Sequence, residues 1–349
     1  MKMGRFVIDA HVHSQRHAAG SELKKKLAEN PDGRKRLRYR DLAEVMPQVK
    51  AYDNSERLLY DMQCYDVDMC ILMASYGMTN EQNLALVEKY PGKFAAICCA
   101  KETYDRAEHG ETKWSIEEGC KELDNLLSTG KYCGIGELVP ADPQVLYRKK
   151  QISKLERIDQ LMQVWEVAGK HGVPVHYHTG FAMGYHLGIP ETLDPLWAHE
   201  LAANFPDVPI IFDHGGMACW WWEHLVDQCL HVAASHDNVY LETGLYWTDL
   251  YYKALLDPNV GPEKLLWATD WGASIPVYSQ PGHKPPAYAM QLIKEGVVTY
   301  QVDMMGWSLR QLRRLDISQD DLNLILGGNA IRLYKLNFPL RRMFKPVEQ

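Results

Sequence analysis

Val173-Pro174-Val175-His176-Tyr177-His178-Thr179-Gly180 is a short apolar run that carries two histidines and closes on a Thr-Gly turn. Leu155 to Ala168 before it and Trp197 to Phe205 after it show the apolar spacing of amphipathic helices. A buried strand between two helices is the building unit of a parallel sheet. The unit recurs along the chain. Arg5 to Ala10, Val67 to Ala74, Phe94 to Ala100 and Cys133 to Val139 read as further buried strands, as do Val208 to Phe212, Val239 to Glu242 and Leu265 to Thr269. Helical spacing marks Leu84-Leu86-Val87 as well, and Gly215-Gly216, Thr243-Gly244 and Trp271-Gly272 are turn signals at strand ends. No GxGxxG opens a helix after any strand, which removes the main argument for a dinucleotide-binding sheet. Eight strands alternating with helices predict an α/β fold, a (β/α)8 TIM barrel.

The remaining features bound this expectation. The chain has 349 residues, of which 46% are hydrophobic and 24% charged, and a formal charge of −7. One barrel with insertions accounts for that length, and no linker, repeat or low-complexity tract divides it, so residues 1–349 are expected to form a single domain. The mild acidity argues against a nucleic-acid or anionic-membrane partner. Eight cysteines without a CxxC pair read as reduced core thiols. Apolar runs such as Ile71-Leu72-Met73-Ala74 are too short to span a bilayer, and Asp9 interrupts Phe6-Val7-Ile8 before a signal-peptide core can form. A cytoplasmic location is the expectation. Residues 14–60 form a long insertion after strand one, on the face where barrel loops carry function. Eight Lys/Arg fall within 22–40; they read either as a solvated helix or as a lid offering cations to an anionic substrate. The stretch Ser274 to Pro286, rich in Pro, Gly and Ser, is the other irregular segment.

Strand ends carry the chemistry. In Asp9-Ala10-His11-Val12-His13 the two histidines are two residues apart, so on a strand they project to one side and make half of a site for a divalent transition metal. Strand four closes with Gly136-Glu137, strand five with His178-Thr179-Gly180, strand six with Asp213-His214-Gly215-Gly216, and strand eight with Thr269-Asp270. The intervals from Glu137 onward, of 41, 36 and 56 residues, match one, one and two strand-helix units. Each donor then sits at the carboxyl end of a strand, where barrel active sites are built.

The set Asp9-x-His11-x-His13, His178-Thr179-Gly180, His214-Gly215-Gly216 and Thr269-Asp270 resembles the amidohydrolase superfamily. It is most similar to the amidohydrolase-related branch that includes aminocarboxymuconate-semialdehyde decarboxylase and the resorcylate-type decarboxylases. Gly327-Gly328-Asn329-Ala330-Ile331-Arg332-Leu333-Tyr334 resembles that branch's closing helix, and Tyr90-Pro91-Gly92-Lys93-Phe94 its early run. The resemblance implies a barrel holding one or two divalent ions, usually zinc and sometimes manganese. His11, His13, His178 and Asp270 would be ligands, and His214 would stand beside the metal, touching substrate or metal-bound water. It also implies a homodimer. At Glu137 the sequence departs from the decarboxylases, which lack a bridging acid there, and looks like members that use a glutamate. Glu137 is therefore read either as a ligand or as an ion-pair partner of a ligating histidine.

Such a cation with an open position lowers the pKa of bound water to about 7. Asp270 would shuttle the proton to the leaving group, while the metal or His214 polarises the attacked carbonyl. The expected activity is metal-dependent hydrolysis of a small carboxylate-bearing or aromatic molecule. The same residues allow a non-oxidative decarboxylation of a hydroxylated aromatic or muconate-like acid, with Asp270 protonating the carbon. A barrel keeping its donors only as a scaffold is a third reading. Around the site, Trp220, Trp221, Tyr185 and His186 are expected substrate contacts. His176 reads as a packed neighbour of the site, and Asp213 as facing away from it toward the helices. Serine-hydrolase, P-loop and zincin motifs are absent: there is no GxSxG, Thr129-Gly130-Lys131-Tyr132 is not a P-loop, and His199-Glu200-Leu201-Ala202-Ala203 lacks a second histidine.

Overall fold

Residues 3–18, 50–74, 79–108, 110–138, 152–179, 194–217, 222–272 and 304–337 are described by the computed structural model. Each predicted strand region contains one. They are β1 (Ile8–Val12), β4 (Met69–Leu72), β5 (Phe94–Ala96), β6 (Ile135–Leu138), β7 (Val175–His178), β8 (Ile210–Asp213), β9 (Val239–Glu242) and β10 (Leu265–Leu266). β1, β4 and β5 form one parallel sheet in that order; β6 to β10 form a second, each strand parallel to its neighbour in sequence. Isolated parallel bridges join Cys98 to Ile135 and Val12 to Trp271.

The apolar residues explain the register. Val7, Cys70, Leu72, Phe94, Ile135, Val175, Tyr177, Ile210, Phe212, Val239, Leu241 and Leu265 belong to a large core shared with the helices, including Leu161 and Trp165 of the helix Lys154–His171. Alternate residues face a second, smaller cluster: Ile8 and Ala10, Met69 and Ile71, Ile97, Ile211, Tyr240, and Leu266 with Ala268. Ala330, Leu333 and Tyr334 close it. Fully burying one such Leu or Ile side chain stabilises by about 1.5–3 kcal/mol, so a one-residue slip of any strand would be costly. Helix ends follow local chemistry. Thr79 and Gln82 form a capping box on Asn80–Lys89, and Ser153 caps Lys154–His171, which ends at Gly172 with φ 60°.

The expected insertion at 14–60 is described only at its flanks. β2 (Gln15–Ala18) and β3 (Lys50–Asp53) pair antiparallel and bring its ends together. The helix Ser55–Cys64 begins before residue 60 and packs Leu58 and Met62 into the main core. Residues 19–49, with the basic run, lie outside the described residues, as does Ser274 to Pro286. No helix among the described residues is long and apolar enough to cross a membrane. The seven cysteines among them are free thiols, and burial pushes those of Cys99 and Cys133 up to about 12.

Candidate metal centre

Parallel strands put all their carboxyl ends at one edge, and the polar residues singled out in the sequence gather there. Two irregularities aim them. The register shifts between Asp9 and Val12 in β1 and between Ile135 and Leu138 in β6. By strict alternation His11 would follow Val7, and Glu137 would follow Ile135, into the helix-side core. The shifts turn both toward the other residues of the site, which is a recognised use of a bulge. His214 and Asp270 use a different device: both have left-handed backbones, with φ of 61° and 51°. Such a conformation is costly for non-glycine residues and recurs at functional sites.

His11 Nε2 stands 3.1 Å from His13 Nε2, 3.7 Å from Asp270 Oδ1 and 3.9 Å from Glu137 Oε2. His13 Nε2 is 3.5 Å from Asp270 Oδ1 and 3.7 Å from Glu137 Oε2. Among the described residues His11, His13 and Asp270 offer atoms close enough together to hold one small cation, because nitrogen and oxygen ligands about 2.0–2.2 Å from zinc lie about 3.3–3.5 Å from one another. His214 Nε2 is 3.3 Å from the other oxygen of Glu137, and His178 Nδ1 pairs with that same oxygen. His178 Nε2 is buried with no hydrogen-bond partner among the described residues. His11 is common to three groups whose donors could hold an ion: with His13 and Asp270, with Glu137 and His214, and with His176 and Asp213. The structure thus brings His11, His13, Glu137, His178, His214 and Asp270 together, although His178 belongs to none of the three groups.

Two carboxylates behind this cluster were not anticipated. Glu242, the last residue of β9, accepts from His11 Nδ1 at 3.1 Å, from the His214 backbone N–H at 2.8 Å and from the Gly244 N–H at 2.5 Å. Its position at a strand's carboxyl end, before Thr243-Gly244, was the available signal. Asp213 reverses its expectation. It shares the face of Ile211, so it points into the site, where its Oδ1 lies 2.5 Å from His176 Nδ1 and 3.6 Å from His11 Nδ1. His214 is the residue that departs from alternation, through its left-handed backbone. Asp9 accepts from the Thr269 N–H at 3.0 Å and its hydroxyl at 2.5 Å, holding β1 to the segment that carries Asp270. Trp271 is buried in the main core, its indole donating to Asp61 of the helix Ser55–Cys64 at 3.0 Å.

The electrostatics follow from burial and pairing. Burial alone would push the His11 imidazole down, but Asp213 and Glu242 prevail and hold it well above its ordinary value. His214 is likewise raised to about 9 against the effect of burial, by Glu137, Asp270 and Glu242. Burial raises the Asp270 carboxyl to about 6 and the Asp9 carboxyl to about 7. Burial acts on Glu137 in the same direction, yet His178 and His214 keep it well below the usual carboxylate range.

Glycines shape the backbone beneath. A Cβ at Gly136 would lie 2.5 Å from that of His176, and a Cβ at Gly216 would lie 2.6 Å from the backbone of Leu225 and Val226, where φ is +87°. Gly216→Ala is expected to lower stability by about 3 kcal/mol from overpacking and strain, measured by urea unfolding. An unchanged midpoint would contradict the close approach. The expected substrate contacts Trp220, Trp221, Tyr185 and His186 lie outside the described residues.

With this geometry in hand, comparison with known proteins is informative. A family model described as Amidohydrolase matches residues 115–336. That span holds Glu137, His178, His214, Glu242 and Asp270, while His11 and His13 precede it. Among solved structures, the chain is similar to an amidohydrolase from Burkholderia multivorans crystallised with bound zinc. The two share 13% identity and a TM-score of 0.53, with 95% of this chain and 100% of that one covered. It is also similar to a protein from Lactobacillus casei assigned as a metal-dependent hydrolase, at 11% identity and a TM-score of 0.53, covering 94% and 95%. At these identities the likeness is one of fold. No curated protein matches the chain.

Proposed function

The chain belongs to the amidohydrolase family, and we propose that it is a metal-dependent hydrolase acting on a small carboxylate-bearing or aromatic substrate. The scaffold in this reading is a closed (β/α)8 barrel. Support for closure comes from the Cys98–Ile135 and Val12–Trp271 bridges between the two sheets, and from the Ala10 N–H donating to the Trp267 carbonyl at 3.1 Å. The observation that carries hydrolysis is the position of Glu137. It lies 3.7 Å and 3.9 Å from the two Nε2 atoms of the His-x-His pair, which supports reading its carboxylate as a ligand.

His11, His13 and Asp270 with one oxygen of Glu137 would hold one cation, and His178 with the other oxygen of Glu137 would hold a second, with His214 beside them. When bound, a divalent ion such as zinc supplies Lewis acidity and acidifies a coordinated water. The chain's own groups do the rest. Asp270, whose carboxyl faces the two His-x-His nitrogens, would take the proton of the attacking water and return it to the leaving group. His214, raised to about 9, is a hydrogen-bond donor for the oxygen on which negative charge develops. Burial of His11, His13, His178, His214 and Asp270 strengthens both effects.

Metal content per chain, measured by elemental analysis on protein purified without chelator, tests the reading. Two equivalents in the wild type and one in Glu137→Gln are expected. One equivalent in both, with CO2 released from a hydroxylated aromatic acid, would replace hydrolysis by decarboxylation. No uptake of zinc or manganese would sink the metal site.

A further inference from the structure

Behind the donors, a line of buried side chains leads from the cluster to the C-terminal part of the chain. His176 lies on β7 one turn of the pleat deeper than His178, and both of its ring nitrogens are engaged. Nδ1 lies 2.5 Å from Asp213 Oδ1, and Nε2 lies 2.5 Å from the Tyr334 hydroxyl. The His176 and Tyr334 rings stack with centroids 5.8 Å apart and planes within 10°. His176 and Asp213 have no exposed surface, and a Cβ added at Gly136 would lie 2.5 Å from that of His176. Asp213 Oδ1 in turn faces His11 Nδ1 at 3.6 Å.

Hydrogen counting orders this line. A neutral imidazole has one N–H donor and one acceptor nitrogen. An ionised Asp213 only accepts, so the His176 proton must be on Nδ1. Nε2 is then the acceptor, and Tyr334 donates its O–H to it. The hydroxyl therefore selects the His176 tautomer that can hold Asp213, and Asp213 with Glu242 borders the Nδ1 side of His11. Glu242 is anchored by backbone N–H groups, whereas Asp213 is anchored through side chains that reach residue 334.

We propose that Tyr334 and His176 are positioning residues for the metal centre, acting through Asp213 on the orientation of His11. The proposal rests on the metal-binding reading given above. It assigns a role to the closing Gly327–Tyr334 segment beyond packing: a tyrosine on the opposite side of His176 from the donors sets how firmly they hold the ion. Partners of this kind behind a ligating histidine typically contribute about 10–100-fold in metal affinity.

The test is a double-mutant cycle read by cobalt(II) titration of the metal-free full-length protein, following visible absorbance, with thermal unfolding run alongside. Asp213→Asn is expected to weaken cobalt binding about 10–100-fold. Tyr334→Phe is expected to weaken it roughly 3–10-fold, within the coupling seen along such networks, and to alter the cobalt spectrum. The double variant should be no weaker than Asp213→Asn alone, because Tyr334 works through that carboxylate. If Tyr334→Phe does not fold, His176→Asn takes its place in the cycle; its amide nitrogen can still donate to Asp213 but no longer meets Tyr334. Affinity and spectrum within twofold of wild type in a folded Tyr334 or His176 variant would overturn the proposal. So would fully additive losses in the double variant. A wild-type protein that binds no cobalt would instead overturn the functional reading on which the proposal stands.

Discussion

His11→Ala is expected to strip the divalent ion from the protein. Among the described residues His11 belongs to all three groups of donors that could hold one, and its two ring nitrogens do different work. Nε2 faces His13, Asp270 and Glu137, while Nδ1 is held by Glu242. Truncation removes a ligand and also leaves Glu242 and Asp213 buried without their imidazole. Structural zinc sites bind with about 10–16 kcal/mol over four ligands, so one ligand accounts for about 3 kcal/mol, on the order of 100-fold in affinity. Metal per chain after dialysis reads the effect, and stoichiometric metal retained in both His11→Ala and His13→Ala would exclude the site. The wild type should also show a proton cost. Without metal, His11 stays protonated well above its usual range, so a cation must displace that proton and its affinity should climb as pH rises above about 6.5. Stability of the metal-free protein should run the other way. Its His214 contribution is fully present below the unfolded value of about 6.5 and is lost as pH rises through 9.

What the sequence disclosed, and what it hid, divides along a physical line. Strand positions were legible because a run such as Val175–His178 or Val239–Glu242 is apolar, short and bounded by turns. The clustering of these polar residues was legible because histidines and carboxylates recur at the carboxyl ends of successive strands, which parallel strands bring to one edge. Side-chain direction was less so. Period-two alternation holds only while the strand is regular, and the site is built where it stops being regular: at the shifts in β1 and β6 and at the left-handed His214. Asp213 was therefore assigned to the wrong side. Glu242 was overlooked although, like Glu137, it stands at the carboxyl end of a strand. Its partner His11 is 231 residues away. The line through His176 to Tyr334 spans a separation of 158 residues and has no local signature at all.

Asp270→Asn is expected to lower kcat by about 10²–10⁴ with the fold intact, the range over which a positioned proton-transfer group contributes. The choice of asparagine matters. Asp270 has φ of 51°, a region that asparagine tolerates better than any residue except glycine, so the backbone need not move. The amide oxygen can occupy the place of Oδ1, 3.5 Å from His13 Nε2 and 3.7 Å from His11 Nε2, so part of the metal affinity should survive. What the amide cannot do is take up and return a proton. In the metal-free protein burial raises the native carboxyl to about 6, so it exchanges protons more readily near neutral pH than an ordinary carboxylate. Alanine would lose the oxygen as well and would confuse metal loss with proton-transfer loss. The decisive comparison is kcat per bound metal on any substrate the wild type turns over, with proton release reporting hydrolysis and CO2 release reporting decarboxylation. A metal-loaded Asp270→Asn protein working at the wild-type rate would remove Asp270 from the chemistry and leave it a ligand. A slow enzyme with full metal would place it at the proton.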